Sequence, residues 1–342
     1  MPPQPLKSSI MRPPGRGRFR GSANRAPLAC STGRPLRLAA KLNGRVTGRL
    51  WALLAAALAC AGLVSGCGGS SGASSAVLLA AGDIAECDHR GDEATARLLG
   101  ADPNATIATL GDNAYQHGTR EEFARCFAPS WGRYRERMRP ATGNHDHSTK
   151  DARGYHEYFS ARGGPFDRYY YSYDLGAWHV VVLDSDCWRV GGCGLDDPQL
   201  RWLRQELRRN RARCTLAYWH RPPFSSGRYG DPEDTERVLP AWQTAVEGGV
   251  DVVLTGHEHS YERFAPMDAA GRPDPTGGQL FVVGTGGGNL RPYRRPRLPT
   301  TAVRNDDSWG VLRLTLHADR YDWKFLPVAG QTFSDAGSRS CH

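Results

Sequence analysis

TIATLGDNAY (106–115) is the stretch from which the fold is read: a short run of β-branched and small residues, a glycine, then an aspartate. Four more segments share that design: VLLAAGD (77–83), MRPATGNH (138–145), CTLAYWH (214–220) and VDVVLTGHEH (250–259). Each ends in a residue that can hold a metal: Asp83, Asp112, Asn144 with His145, His220, and His257 with His259. In four of the five a glycine comes first, at Gly82, Gly111, Gly143 and Gly256. A buried strand that stops at glycine can turn sharply and aim the next side chain into a crevice. In open α/β sheets that crevice, at the carboxyl ends of the strands, is where ligands sit. One such turn would mean little. Five in order, all carrying Asp, Asn or His, point to a centre for two metals.

Between these turns, helices and strands alternate, the pattern of an α/β domain. The expected helices are 91–100, 119–127, 196–210 and 234–247; Asp196-Asp197-Pro198 is a helix start of the usual kind. The expected core strands are 77–81, 105–110, 178–183, 214–219 and 251–254. RYYYSYDLGAWHVVVLDSD (168–186) reads as an antiparallel hairpin turning at Leu175-Gly176. QLFVVGT (279–285), WGVLRLTLH (309–317) and RYDWKFLPV (320–328) read as a meander forming a second sheet. Tyr169, Tyr170, Tyr171 and Trp178 are expected in packing, and GTGGGNL (284–290) in a tight loop near the centre, since no P-loop lysine follows it.

The amino-terminal part stands apart. Residues 1–49 form a basic leader without acidic residues, followed by the apolar run LWALLAAALACAGLV (50–64). Fifteen residues are short for a membrane span but suit a signal-peptide core flanked by Arg45 and Arg49. Val64-Ser65-Gly66-Cys67 resembles a bacterial lipoprotein cleavage box; an ordinary cleaved signal and an uncleaved anchor are the alternatives. The leader's length carries the expectation that translation starts downstream, near Val46. Residues 68–76 (GGSSGASSA) read as a flexible tether, and 77–342 as one catalytic domain.

The formal charge of +9 is a property of the leader. Residues 1–67 hold 11 basic and no acidic residues, so residues 68–342 carry 33 basic against 35 acidic. A nucleic-acid binder would show a basic folded part, so no nucleic-acid binding is expected. The cluster RPYRRPR (291–297) is a local exception, read as a solvated loop or an element steering anionic substrates. Six cysteines follow Cys67: Cys87, Cys126, Cys187, Cys193, Cys214 and Cys341. An even count in an exported chain suggests three disulfides, although 15 pairings exist. Cys187 with Cys193, Cys87 with Cys126 and Cys214 with Cys341 is the expected set; metal binding is the rival, with no CxxC spacing to support it.

In order and spacing, the motifs GD (82–83), GDNAY (111–115), GNHD (143–146), YWH (218–220) and GHEH (256–259) resemble those of calcineurin-like metallophosphoesterases, most closely the purple acid phosphatase branch. The resemblance covers about residues 77–335 and implies an α/β/β/α sandwich with two mixed β-sheets flanked by helices. It implies that Asp83, Asp112, Tyr115 and His259 hold one metal, and Asp112, Asn144, His220 and His257 a second, with Asp112 bridging. Many calcineurin-like enzymes use Asp-x-His in the first motif; here that histidine position is Ala85, and Tyr115 matches the tyrosinate ligand of the purple branch. A phenolate favours Fe(III) at the first site, with zinc, manganese or Fe(II) at the second. The resemblance also implies that His145 contacts phosphate and assists the leaving group, oriented by Asp146. His89, His117, His147 and His156 are expected in surface or hydrogen-bonding roles and His179 in the core.

Together these imply an exported phosphomonoesterase using a metal-bound hydroxide on a small phosphate ester, with a lipid anchor on Cys67 as an optional membrane tie and the oligomeric state open. A phosphodiesterase or nucleotide hydrolase on the same centre is the near alternative. A non-catalytic surface lipoprotein is the distant one, disfavoured by the complete ligand set. Purely structural metals would be closed off by protein ligands, which this set does not do.

Overall fold

A strand that is apolar on both faces is stable only when both are covered, and the runs that end at the ligand turns are of this kind. The computed structural model describes residues 75–229 and 232–342. In chain order its first half comprises β1 (Ala76–Ala81), α1 (Gly91–Gly100), β2 (Thr106–Leu110), α2 (Arg120–Glu122), β3 (Met138–Ala141), α3 (Arg153–Phe159), β4 (Tyr171–Leu175) and β5 (Trp178–Val182). Then come α4 (Pro198–Arg209), β6 (Cys214–Tyr218), α5 (Pro232–Glu247), β7 (Val252–Thr255) and β8 (Tyr261–Phe264). The last strands are β9 (Gln279–Val283), β10 (Thr301–Asn305), β11 (Gly310–Leu316), β12 (Arg320–Pro327) and β13 (Ala336–Ser340). The leader, apolar run and most of the tether read from the sequence lie outside the described residues. Among those described, no helix is long and apolar enough to cross a membrane.

The strands form two mixed sheets. One has the order β13-β12-β11-β1-β2-β3, the other β10-β8-β9-β7-β6-β5-β4. β1, β2 and β3 run parallel, as do β5, β6, β7 and β9. Period-two alternation then decides what each face meets. Val180, Val182, Leu216, Tyr218, Val252 and Leu254 point to a core shared with Leu78, Ala108 and Leu314 of the other sheet. Their neighbours Val181, Ala217 and Val253 point the other way, onto Leu200 and Leu203 of α4 and Trp242 and Ala245 of α5. By the same alternation Leu79 and Ile107 take the other face of the first sheet, and Ala96 and Leu99 of α1 are buried in the same continuous cluster. The result is the α/β/β/α sandwich.

The four expected helices and the hairpin form, with small shifts of their ends. Helix 119–127 starts at a Thr119–Glu122 capping box and passes into a π turn over Phe123–Phe127. α4 starts with Asp197 as N-cap and Pro198 in its first turn. The expected terminal meander does not form. β9 is buried along its whole length and takes a central place between β7 and β8. β11 and β12 instead form a hairpin that extends the first sheet by pairing β11 with β1. The second sheet is therefore built from the middle of the chain. α3 and the short strands β8, β10 and β13 lack periodic signals long enough to stand out. All three expected disulfides are present: Cys87–Cys126, Cys187–Cys193 and Cys214–Cys341.

Candidate metal centre

Parallel register brings the ligand turns to one edge. Ala81 pairs with Thr109 and Leu110 with Ala141, so Asp83, Asp112 and Asn144 leave neighbouring strands at the same level. Tyr218 pairs with Leu254, which does the same for His220 and His257. Backbone bonds stitch adjacent turns: the Asp83 N–H donates to Gly111 O at 3.1 Å and the Gly256 N–H to His220 O at 2.9 Å.

The sharp turning falls on the ligand residues themselves. Asp83, Asp112 and His257 have φ of 59°, 49° and 70°, the left-handed region, which costs about 1–3 kcal/mol each for non-glycine residues. Of the four preceding glycines only Gly111 has a positive φ. The other three are needed for space. A Cβ on Gly143 would lie 2.3 Å from Asp112 Oδ1, and one on Gly256 would lie 2.8 Å from Asp83 Oδ2.

Two groups of donor atoms converge. In the first, Tyr115 Oη donates to Asp83 Oδ1 at 2.8 Å and lies 3.1 Å from His259 Nε2, which is 3.3 Å from the same Asp83 oxygen. In the second, His220 Nε2 lies 3.2 Å from Asp112 Oδ2 and 3.2 Å from His257 Nδ1. Asp112, His220 and His257 offer ligand atoms within 4.8 Å of one another. Asp112 Oδ2 is also 3.2 Å from Tyr115 Oη, so one oxygen faces both groups.

Backbone partners fix which atoms are presented. Nδ1 of His220 bonds to Leu110 O at 2.8 Å and Nδ1 of His259 to Asn289 O at 2.7 Å, which leaves each Nε2 facing inward. The His257 N–H holds Asp83 Oδ2 at 2.7 Å. Asn144 Oδ1 is buried with no hydrogen-bond partner, an orphaned acceptor at the place where the sequence expects a ligand. Two carboxylates, a phenol, an amide and three imidazoles form a hard oxygen and nitrogen donor set that fits iron, zinc or manganese.

The electrostatics match a site built for cations. Burial alone would raise the Asp112 carboxyl, but attraction and hydrogen bonding from His220, then His145 and His257, hold it far below the carboxylate range. His220 is raised to about 9, because Asp112 and then Asp83 outweigh the effect of burial. Burial, then the charges of Asp83 and Asp112, hold the Tyr115 phenol well above its ordinary value. A bound cation would invert that order.

The second catalytic candidate behaves differently from expectation. Asp146 does not touch the His145 ring; its carboxylate accepts from the Gly143 N–H at 2.9 Å and from Asn113 Nδ2 at 2.9 Å. It joins the turn of the third motif to that of the second. The His145 ring is oriented by Gln116 O, 2.5 Å from Nδ1, which leaves Nε2 3.9 Å from Asp112 Oδ2. Burial and the Asp112 charge push the Asp146 carboxyl up to about 7 against its hydrogen bonds.

Of the remaining neighbours, Arg221 was not singled out from the sequence. Arg221 Nη1 is 3.1 Å from His257 Nε2, and its Nε lies 3.5 Å from Asp186. Asn289 Nδ2 bonds to Glu86 at 2.7 Å and contacts His89. The glycine loop packs here as expected: the Gly288 N–H donates to Asp83 O at 2.8 Å. His147 is buried on Asp184 at 2.8 Å, and His179 bonds to Asp174. An arginine directly following His220 is the one signal in the sequence that could have marked Arg221.

A family model for the calcineurin-like phosphoesterases matches residues 76–261. Purple acid phosphatase 21 of Arabidopsis thaliana is 30% identical over 155 residues, covering 43% of this chain and 34% of that protein. A nucleotide pyrophosphatase/phosphodiesterase of Hordeum vulgare is 23% identical over 249 residues, 60% of this chain and 63% of that protein. The structure of a purple acid phosphatase from yellow lupin (Lupinus luteus) seeds shares the fold, with a TM-score of 0.63 at 17% identity over 78% of this chain and 54% of its own. The chain spans about a third of the length of the first curated relatives it matches. Since the family match extends over more than half of its residues, the chain belongs to the calcineurin-like phosphoesterase family.

Proposed function

We propose that this protein is an exported binuclear-metal phosphoesterase that hydrolyses small phosphomonoesters. The observation that carries this reading is Asp112 Oδ2, placed 3.2 Å from both Tyr115 Oη and His220 Nε2 and so positioned to bridge two cations. Asp83, Tyr115 and His259 would complete the first site, with the phenolate favouring Fe(III). Asn144, His220 and His257 would complete the second, with zinc, manganese or Fe(II). Bound there, two cations supply the positive charge that lowers the pKa of water and neutralises phosphoryl oxygens.

The chain's own residues supply the rest. His145 presents Nε2 from a ring locked by Gln116 O, at 28% side-chain exposure, where substrate can reach it. It is placed to hand a proton to the departing alkoxide oxygen. Asp146 keeps the Asn113 and Gly143 backbones together, and with them the two metal-facing turns. Three disulfides support an oxidising compartment. Lipidation of Cys67 belongs to the same reading.

The test is hydrolysis of an aryl phosphomonoester and its matching diester by protein produced under oxidising conditions, with Asp112→Asn as control. Monoester turnover that vanishes in the variant supports the reading. Diester preference moves the protein to the phosphodiesterase class, which the barley relative's name makes the specific alternative. No turnover by protein holding two metals would overturn both.

A further inference from the structure

Two arginines stand beside the second-site ligands with no carboxylate in ion-pair reach among the described residues: Arg228 and Arg291. Their neighbours are committed elsewhere. Arg263 is paired with Asp335 at 2.7 Å, and Arg304 bonds to Ser226 and to Arg295 O. Arg228 and Arg291 instead both abut one ring, their guanidinium carbons 5.6 Å and 5.1 Å from the centre of Tyr229. That ring lies 5.0 Å from the ring of His257. Both guanidinium groups are thus one aromatic ring away from a second-site ligand.

Neither arginine is on a loose loop. The Glu258 carboxylate, between the ligands His257 and His259, accepts the backbone N–H groups of Arg228 at 2.9 Å and Tyr229 at 2.6 Å. A Cβ on Gly227 would meet that carboxylate at 2.4 Å, so the loop approaches it as closely as glycine permits. The Arg291 N–H donates to His259 O at 3.0 Å. Two loops far apart in sequence are therefore anchored on the same GHEH segment. They bring two uncompensated positive charges to the same side of the centre. The exposed Arg294, Arg295 and Arg297 extend the positive field beyond them.

We propose that Arg228 and Arg291 form an anion subsite that receives a second phosphate of the substrate, adjacent to the one being hydrolysed. The favoured substrates are then phosphoesters or phosphoanhydrides whose leaving portion carries its own phosphate. Guanidinium groups suit this because their fixed fork binds phosphate oxygens in pairs. The inference rests on the metallophosphoesterase reading above and specifies its substrate class.

The experiment compares propane-1,3-diol bisphosphate with propane-1,3-diol monophosphate on the metal-loaded full chain, in wild type, R228Q, R291Q and the double variant. Wild type is expected to favour the bisphosphate in kcat/KM. Each substitution lowers that preference by about tenfold, mainly through KM, the size of one charge-assisted contact. The preference also weakens with added salt in wild type and loses that dependence in the double variant. Monophosphate turnover with a preference equal in all four proteins would overturn the subsite while leaving the phosphoesterase reading intact. If wild type hydrolyses neither compound, the phosphomonoesterase reading fails, and calorimetric titration with the bisphosphate decides the subsite. Binding lost in the double variant supports it, and equal binding overturns it.

Discussion

The backbone N–H of His145 donates to Oδ1 of Asp112 at 2.8 Å, and so divides the duties of that carboxylate. One oxygen is held by the turn of the third motif; the other faces Tyr115 and His220. Asp112→Asn either keeps an acceptor for His145 and turns an NH₂ group toward the metals, or turns a neutral oxygen toward the metals and loses the acceptor for His145. Expected are an unchanged fold, fewer than two metals per chain and a loss of turnover of at least about a thousandfold, of the size seen when transition-state charge stabilisation is removed. Metal analysis alongside turnover checks this; a variant that retains both metals and full rate would contradict the bridging role.

Space around that carboxylate is equally specific. Gly143→Ala places a Cβ 2.3 Å from Asp112 Oδ1 and 2.4 Å from its backbone nitrogen. Turnover should fall by about a hundredfold or more, the cost of misplacing a reacting group by an ångström. Gly249→Ala is the contrast. It has φ of 83° and open space around it, so it should cost about 1–2 kcal/mol of stability and leave turnover alone. Equal loss of activity in both would show that backbone strain, not crowding of Asp112, is responsible.

Tyr115→Phe removes the phenolate donor from the first group while Asp83, Asp112 and His259 remain. Iron content should drop and a divalent metal take its place, as measured by elemental analysis of protein produced with iron and zinc both present. An unchanged iron-to-zinc ratio would remove Tyr115 from the ligand set.

His156 should make stability depend on pH. Burial, then the positive charge of His147, lowers its imidazole to about 4, and its Nε2 has no hydrogen-bond partner. The unfolded chain takes up that proton near the ordinary value of 6.5, the folded chain only near 4. Between these values the unfolded state binds more protons, so stability present above pH 6.5 is lost as pH falls toward 4. Urea midpoints measured over that range should fall more steeply for wild type than for His156→Phe. Parallel curves would assign the pH dependence to other groups.

The disulfides should differ in value with the loop each closes. Cys214–Cys341 spans 127 residues and Cys187–Cys193 only six. The chain-entropy model gives about 5 kcal/mol for the first and about 2 kcal/mol for the second. Replacing each pair with alanine and comparing melting temperatures tests the ranking; an equal or reversed loss would mean that native packing, not loop closure, sets their worth.

The ligand turns are legible in sequence because a doubly buried parallel strand leaves a local mark: a continuous apolar run stopped by glycine and a polar residue. Asp83, Asp112, Asn144 and His257 carry that mark, His220 ends an apolar run without the glycine, and the alternation of strands with α1, α4 and α5 carries the fold class. Other features depend on partners far away in the chain, which no local pattern encodes. β9 has the same apolar composition as an ordinary meander strand, yet its two buried faces place it beside β7, while β11 pairs with β1, more than 200 residues earlier. Asp146 follows His145 directly but bonds to Asn113 and Gly143, because the chain turns after His145 and carries the two side chains apart. Arg228 and Arg291 look like ordinary surface charges until their loops are drawn onto Glu258 and His259. The amino-acid sequence by itself determined which residues could bind metal and on which kind of strand they sit, since propensity and burial act locally. Only the tertiary structure decided which of them share an oxygen, which histidine nitrogen faces inward and which charges border the centre, because hydrogen bonds and Coulomb forces depend on distances between segments that folding alone brings together.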